Sequence, residues 1–150
     1  MARLRNLFLL IALSGLFGLA GCASTGGKSA EAGFPENVVY HVNDSAVAGA
    51  AMRNVKNHLD ANPQAHIVIV THGKGIDFLL EGATDAKGNP YDITVQDLKK
   101  KGVTFDVCNN TLVSRKIDSK TVLPEAQIVP SGVAELSKLQ SQYHYAYVKP

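Results

Sequence analysis

The chain has 150 residues, 15 basic and 13 acidic side chains, two cysteines and no tryptophan. Two of the bases, Arg3 and Arg5, stand at the extreme front, and without them basic and acidic residues balance at 13 each. No basic patch or arginine-rich arm remains to neutralise phosphates, which argues against nucleic acid as a partner.

Arg3 and Arg5 precede an apolar run from Leu7 to Leu13 that continues to Leu19, the charged and hydrophobic parts of an export signal over residues 1–21. Ser14, Gly15 and Gly18 interrupt the run, and it falls short of the roughly 20 residues that cross a membrane comfortably. Leu19-Ala20-Gly21-Cys22 then resembles a bacterial lipobox, with small Ala23 and Ser24 after it. That resemblance implies cleavage before Cys22 and acylation of its thiol. Inner-membrane lipoproteins tend to carry Asp after the cysteine, so Ala23 implies an outer-membrane anchor facing the periplasm. Residues 22–35 are poor in large apolar groups and read as a lipidated cysteine on a flexible tether, reaching roughly 20 Å by coil statistics. Residues 36–150 form one domain.

Along that domain the hydrophobic period switches between two and about 3.6. Residues 37–42 predict a first strand; Asp44 and Ser45 cap a helix with Ala48, Met52, Val55 and Leu59 on one face, ended by Asn62-Pro63. Residues 66–71 are almost continuously β-branched, as in a strand buried on both faces. A short helical stretch spans residues 76–80, a polar loop residues 86–91, and Thr94 and Asp97 open a helix ending at Lys99-Lys100-Lys101, read as a solvated cap. Residues 103–108 predict the third strand, with Asn109 or Asn110 capping a turn through Leu112. Residues 126–130 predict a fourth strand, Val133, Leu136, Leu139 or Gln140, and Tyr143 the buried face of a helix, and residues 145–148 a last strand. The alternation predicts an α/β fold with a mostly parallel sheet of about five strands, right-handed crossovers and helices on both faces.

Ligands of such sheets bind beyond the carboxyl ends of the strands. Those ends carry Asn43-Asp44, His72-Gly73-Lys74-Gly75, Cys108-Asn109-Asn110-Thr111 and Ser131-Gly132. With Cys22 lipidated, Cys108 is the one remaining thiol, so no disulfide forms within the chain. A thiol at a strand end beside backbone N–H groups can be held as a thiolate, and His72 and Lys74 are candidates to lower its pKa. Alternation places Cys108 with Thr104 and Asp106, away from Val103, Phe105 and Val107, in a polar setting.

The segments His72-Gly73-Lys74-Gly75-Ile76-Asp77, Val107-Cys108-Asn109-Asn110-Thr111-Leu112 and Val129-Pro130-Ser131-Gly132-Val133, in this order of strands and helices, resemble the DsrE/DsrF family, also called YchN-like. The resemblance covers about residues 36–150. It implies a three-layer α/β/α domain, assembly into trimers or hexamers, and sulfur transfer through a persulfide on a cysteine late in the third strand, the position of Cys108. Relatives in sulfur relays are cytoplasmic, so a relay on an envelope anchor needs different partners.

Gly73-Lys74-Gly75 is too short for a phosphate loop or a dinucleotide fingerprint. His41, His58, His66 and His144 show no metal-ligand spacing, so neither cofactor nor metal is expected. Two readings stand. In the first, Cys108 and His72 do sulfur-carrier or thiol-redox chemistry, with Asn43, Gly73, Lys74, Asn109, Asn110 and Ser131 as ligand-binding residues and an accessible thiol required. In the second, the domain is a noncatalytic, membrane-tethered oligomer that binds a small ligand or another envelope protein at that edge.

Overall fold

The computed structural model describes residues 34–150. The export signal, Cys22 and the tether up to residue 33 lie outside the described residues.

Five strands form one sheet in the order β4-β3-β2-β1-β5, and every neighbouring pair is parallel. They are β1 (Glu36–Asp44), β2 (Ala65–Lys74), β3 (Thr104–Cys108), β4 (Ala126–Val129) and β5 (Ala146–Val148). The helices are α1 (Ala48–Ala61), α2 (Tyr91–Lys100), α3 (Asn109–Arg115) and α4 (Gly132–Tyr143). The chain steps from β1 through β4 toward one edge; α4 then crosses the sheet and delivers β5 to the far side of β1.

Strand alternation separates two apolar layers. Val38, Tyr40, Val42, Ile67, Ile69, Phe105 and Val107 pack with Ala48, Met52 and Val55 of α1, Val95 and Leu98 of α2, and Leu112 of α3. Val39, Val68 and Val70, on the opposite face, pack with Leu136 and Leu139 of α4. The result is the expected three-layer α/β/α arrangement. Ile67, Val68, Ile69 and Val70 are all buried, so β2 is covered on both sides.

Several boundaries depart from the sequence reading for local reasons. Helix α2 begins at Tyr91 rather than Thr94, because Pro90, with φ −64°, already stands at its entry. The polar loop before it is closed by the Asp85 carboxylate, which accepts from the Lys87 and Asn89 backbone N–H groups and the Asn89 side chain. The stretch around residues 76–80 is a single 3-10 turn, Asp77–Leu79, that buries Phe78 and Leu79. After β3 neither asparagine caps the chain: Cys108 itself occupies the position before the seven-residue α3, and Asn109 and Asn110 are exposed. In α4 only Leu136 and Leu139 hold the expected apolar face, whereas Val133 and Tyr143 are 61% and 55% exposed. Gly132, Leu136 and Leu139 make the side of α4 that meets the sheet, and Val133 and Tyr143 stand off it.

Asp106, on the α4 side of β3, is only 1% exposed. Burial lifts its carboxyl to about 6; the Gln127 amide, donating at 2.7 Å, offsets this, while Glu135 raises it further and Lys138 and Lys99 lower it. The folded chain thus keeps this proton to a higher pH than the unfolded chain does. The contribution is therefore most favourable below about pH 4 and is lost as pH rises toward about 6, by up to about 3 kcal/mol. Asp106→Asn retains an acceptor for Gln127 and removes the charge. Urea unfolding is expected to show the variant more stable than wild type near pH 7.5 and the two closely matched near pH 4; equal stability near neutrality would mean that ionised Asp106 is tolerated without penalty.

Candidate functional site

Parallel register brings three strand ends level, since Val42 stands opposite Thr71 and Thr71 opposite Val107. On the α4 side, His72 and Cys108 follow Thr71 and Val107, and His41 precedes Val42. Helix α4 starts directly over them. Ser131 caps it, its Oγ accepting from the Ala134 N–H at 3.4 Å. A Cβ at Gly132 would stand 3.0 Å from the Thr71 carbonyl oxygen and 3.2 Å from the Cβ atoms of both Cys108 and His72. Those two side chains therefore flank one point at the helix start.

Cys108 is a free thiol, 5% exposed. Burial by itself raises its pKa, but the Gly132 N–H, the Thr111 hydroxyl, and the Thr111 and Asn110 N–H groups outweigh that and bring it below the ordinary thiol value. Thr111 is held in place from the other side, because its Oγ1 accepts from the Gly73 N–H at 3.0 Å. Gly73 adopts φ +58°, a left-handed conformation that glycine allows without strain. Arg115 clamps the same turn, donating to the Gly73 carbonyl at 3.0 Å and pairing with Asp77.

Beside the thiol runs a chain of rings. His41 Nε2 and His72 Nε2 are 2.7 Å apart, and His41 Nδ1 lies 2.6 Å from the Tyr147 hydroxyl. Burial, then the neighbouring His72 and Lys149 charges, lower His41 to about 4. Burial and then Lys149 likewise lower His72. Both imidazoles are accordingly neutral at pH 7, so one ring shares a proton with the other.

One expectation is corrected: the causes that lower the thiol pKa are backbone N–H groups and one hydroxyl, not a histidine cation or Lys74. The thiol is also buried, where the sulfur-carrier reading requires an accessible one. The Lys74 side chain is exposed, and it is the Lys74 carbonyl that is engaged, accepting from Ser45 Oγ at 2.7 Å. Asn43 Oδ1 accepts from Lys149 Nζ at 3.0 Å on the same edge. Asn110 contributes its backbone, not its side chain. Sequence reasoning gives no site role to four residues found there, His41, Thr111, Gly132 and Tyr147, although Thr111 and Gly132 stand in the strand-end segments. Alternation gave a signal for His41, two residues after Val39 on the same face; nothing in the sequence marks Tyr147 as its partner. Among the described residues no group of three or more His, Cys, Asp or Glu side chains is placed to hold a metal ion.

A family model described as the DsrE/DsrF-like family matches residues 38–150. Among solved structures, the chain is similar to a protein of unknown function, MTH1491, from Methanobacterium thermoautotrophicum, with TM-score 0.69 and 26% identity over 77% of this chain and 99% of that one. It is also similar to the ychN protein from E. coli, with TM-score 0.63 and 11% identity over 78% of this chain and all of that one, a likeness of fold alone. No curated protein matches the chain.

Thr111 offers a direct test of the thiol's surroundings. Thr111→Val removes the hydroxyl donor and leaves the Gly73 N–H without its acceptor, so it is expected to raise the Cys108 pKa and to destabilise the fold by about 1–3 kcal/mol. Thr111→Ser keeps the hydroxyl and is expected to retain most of the depression. Thiolate absorbance followed against pH, with Cys108→Ser as the blank, reads the shift; an unmoved titration in Thr111→Val would remove this hydroxyl from the account.

Proposed function

The chain belongs to the DsrE/DsrF-like family, and on that premise we propose that it is a sulfur carrier or thiol-redox protein that works through Cys108. The observation that carries this reading is the set of donors around the sulfur, which favours its anion despite burial. In the carrier step, the Cys108 thiolate attacks the outer sulfur of a donor persulfide. The donor's S–S bond breaks, a new S–S bond forms to Cys108, and the donor leaves as a thiolate. No net oxidation occurs, and the transferred sulfur becomes the anion that the same donors can hold.

In this reading neutral His72 takes the proton released when Cys108 ionises or when its persulfide does. The bonds to His41 and onward to Tyr147, 45% exposed, give that proton a way toward solvent. Asn43, Gly73, Lys74, Asn109, Asn110 and Ser131 surround the edge where a donor or acceptor would dock. Because Cys108 is enclosed by the start of α4, sulfur exchange requires that turn to move aside.

The burial of Cys108 is also the observation that favours a second reading, a noncatalytic oligomeric module that binds a small ligand or an envelope protein at the same edge. Both readings include assembly of like copies, supported by exposed Val133, Tyr143 and Tyr147 on α4 and β5. Both also place the domain on the outer membrane, facing the periplasm, through a lipid on Cys22, a proposal that rests on Leu19-Ala20-Gly21-Cys22.

Incubation with glutathione persulfide followed by mass spectrometry is expected to add one sulfur atom to the wild-type protein and none to Cys108→Ser. A wild-type protein that stays unmodified under these conditions would leave the binding module as the better description. For the anchor, Cys22→Ser is expected to lose incorporation of labelled palmitate and to move from the membrane fraction to the soluble one; unchanged labelling would overturn it.

A further inference from the structure

Across the sheet from Cys108, helices α1 and α2 diverge around a cavity of about 630 Å³. Small-molecule sites typically fall between about 300 and 1,000 Å³. Gly49, Met52 and Arg53 line it from α1, and Tyr91, Thr94 and Leu98 from α2. Their spacings of three, four and seven residues put each set along one side of its helix. Met52 and Leu98, 4% and 3% exposed, belong to the core and make an apolar floor.

Two features of the lining point to a ligand with both an apolar body and a negative charge. The first is Gly49. It stands in the first turn of α1, where a Cβ would meet only Arg53 Nη1, at 3.7 Å. The residue keeps the groove deep, and no packing demand accounts for it. The second is charge. Arg53, Lys56, Lys100 and Lys101 ring the cavity against Asp85 and Asp97, an excess of cations. Lys56 and Lys101 are engaged by Asp60, and Lys100 by Asp97. Among the described residues Arg53 alone of the four has no acidic partner, and its planar guanidinium suits a carboxylate, sulfonate or phosphate.

We infer that the α1–α2 cavity is a binding site for a small amphipathic anion, an aromatic or short aliphatic body on the Met52–Leu98 floor with its acidic group on Arg53. The inference is independent of the chemistry at Cys108. It would give the domain a ligand-binding face separate from its sulfur edge.

Anilinonaphthalene sulfonate, which joins an aromatic body to an anion, and uncharged phenylnaphthylamine are suitable probes for fluorescence titration. The sulfonate is expected to bind saturably, one per chain. Arg53→Gln is expected to weaken it about tenfold, the loss of one charge-assisted pair, while leaving the uncharged probe unchanged. Gly49→Leu, which fills the groove, is expected to abolish both. Cys108→Ser is expected to alter neither, which separates this site from the proposed sulfur chemistry. Circular dichroism melts establish that each variant is folded. Absence of saturable binding, or equal sulfonate affinity in folded Arg53→Gln or Gly49→Leu, would overturn the inference. So would a signal that falls as the protein doubles its mass with concentration, because a second copy would then be the occupant.

Discussion

The close approach of α4 to the ends of β2 and β3 is the constraint on which the site depends. The helix must begin where β4 ends, cross three strands and deposit β5 beside β1, so its first turn passes over the sheet's carboxyl edge. At that crossing residue 132 lies against the Thr71 carbonyl, with Cys108 and His72 on either side. A Cβ would fit here only if these neighbours gave way by a few tenths of an ångström. The fit also aims the Gly132 N–H at the Cys108 sulfur, so the crossover and the thiol's chemistry share one contact.

A cation beside a thiolate can be neutralised by pH or screened by salt. Fixed N–H dipoles and a hydroxyl cannot titrate away in the physiological range. The Cys108 surroundings are of the second kind, and the neutral state of His41 and His72 follows from the same enclosure. Each imidazole is displaced toward its uncharged form first by burial and then by nearby positive charge, Lys149 in both cases. An uncharged pair can accept a proton, whereas two imidazolium rings at 2.7 Å could not coexist. The edge thus favours an anion on sulfur and uncharged imidazoles beside it.

Period and composition made the fold readable. The β-branched run of β2, the two-residue alternation of β1 and β3, and the Asn62-Pro63 stop all act locally, and the strands appear where they were expected. The helix faces were read less well. Val133 and Tyr143 fit the apolar period of α4, but whether a periodic residue is covered depends on the breadth of the surface beneath it, which periodicity does not express. The same limit holds at the site. Cys108, His72 and Gly73 could be placed at one edge from strand order alone, yet the partners that fix their states, Thr111, Gly132, His41 and Tyr147, come from three other elements and from one residue within α3. Their roles arise from register and from the path of α4, which no window of sequence contains. Lys74 was misjudged for the opposite reason: adjacency in sequence to His72 suggested adjacency to the thiol, and the turn at Gly73 directs it elsewhere.

Asp106 and Cys108 show what decides ionisation on this face. They stand two residues apart on β3, point toward the same helix and are almost equally enclosed, at 1% and 5% exposure. Burial raises both groups, yet the carboxyl ends well above its ordinary value and the thiol below its own. The difference lies in donors. Asp106 receives a side-chain hydrogen bond from Gln127, whereas the sulfur is favoured as an anion by the Gly132 and Thr111 N–H groups and the Thr111 hydroxyl, with a smaller share from the Asn110 N–H, which also donates to the Pro130 carbonyl. Desolvation of an anion is offset only when enough dipoles replace the lost water. At the strand's end such dipoles are plentiful, because α3 and α4 both begin there with N–H groups that have no partner inside their own helices. In the middle of β3 the backbone N–H groups are already taken by the ladder. A carboxylate at position 106 is therefore a liability and a thiolate at position 108 is not, and the reason is where along the strand each one falls.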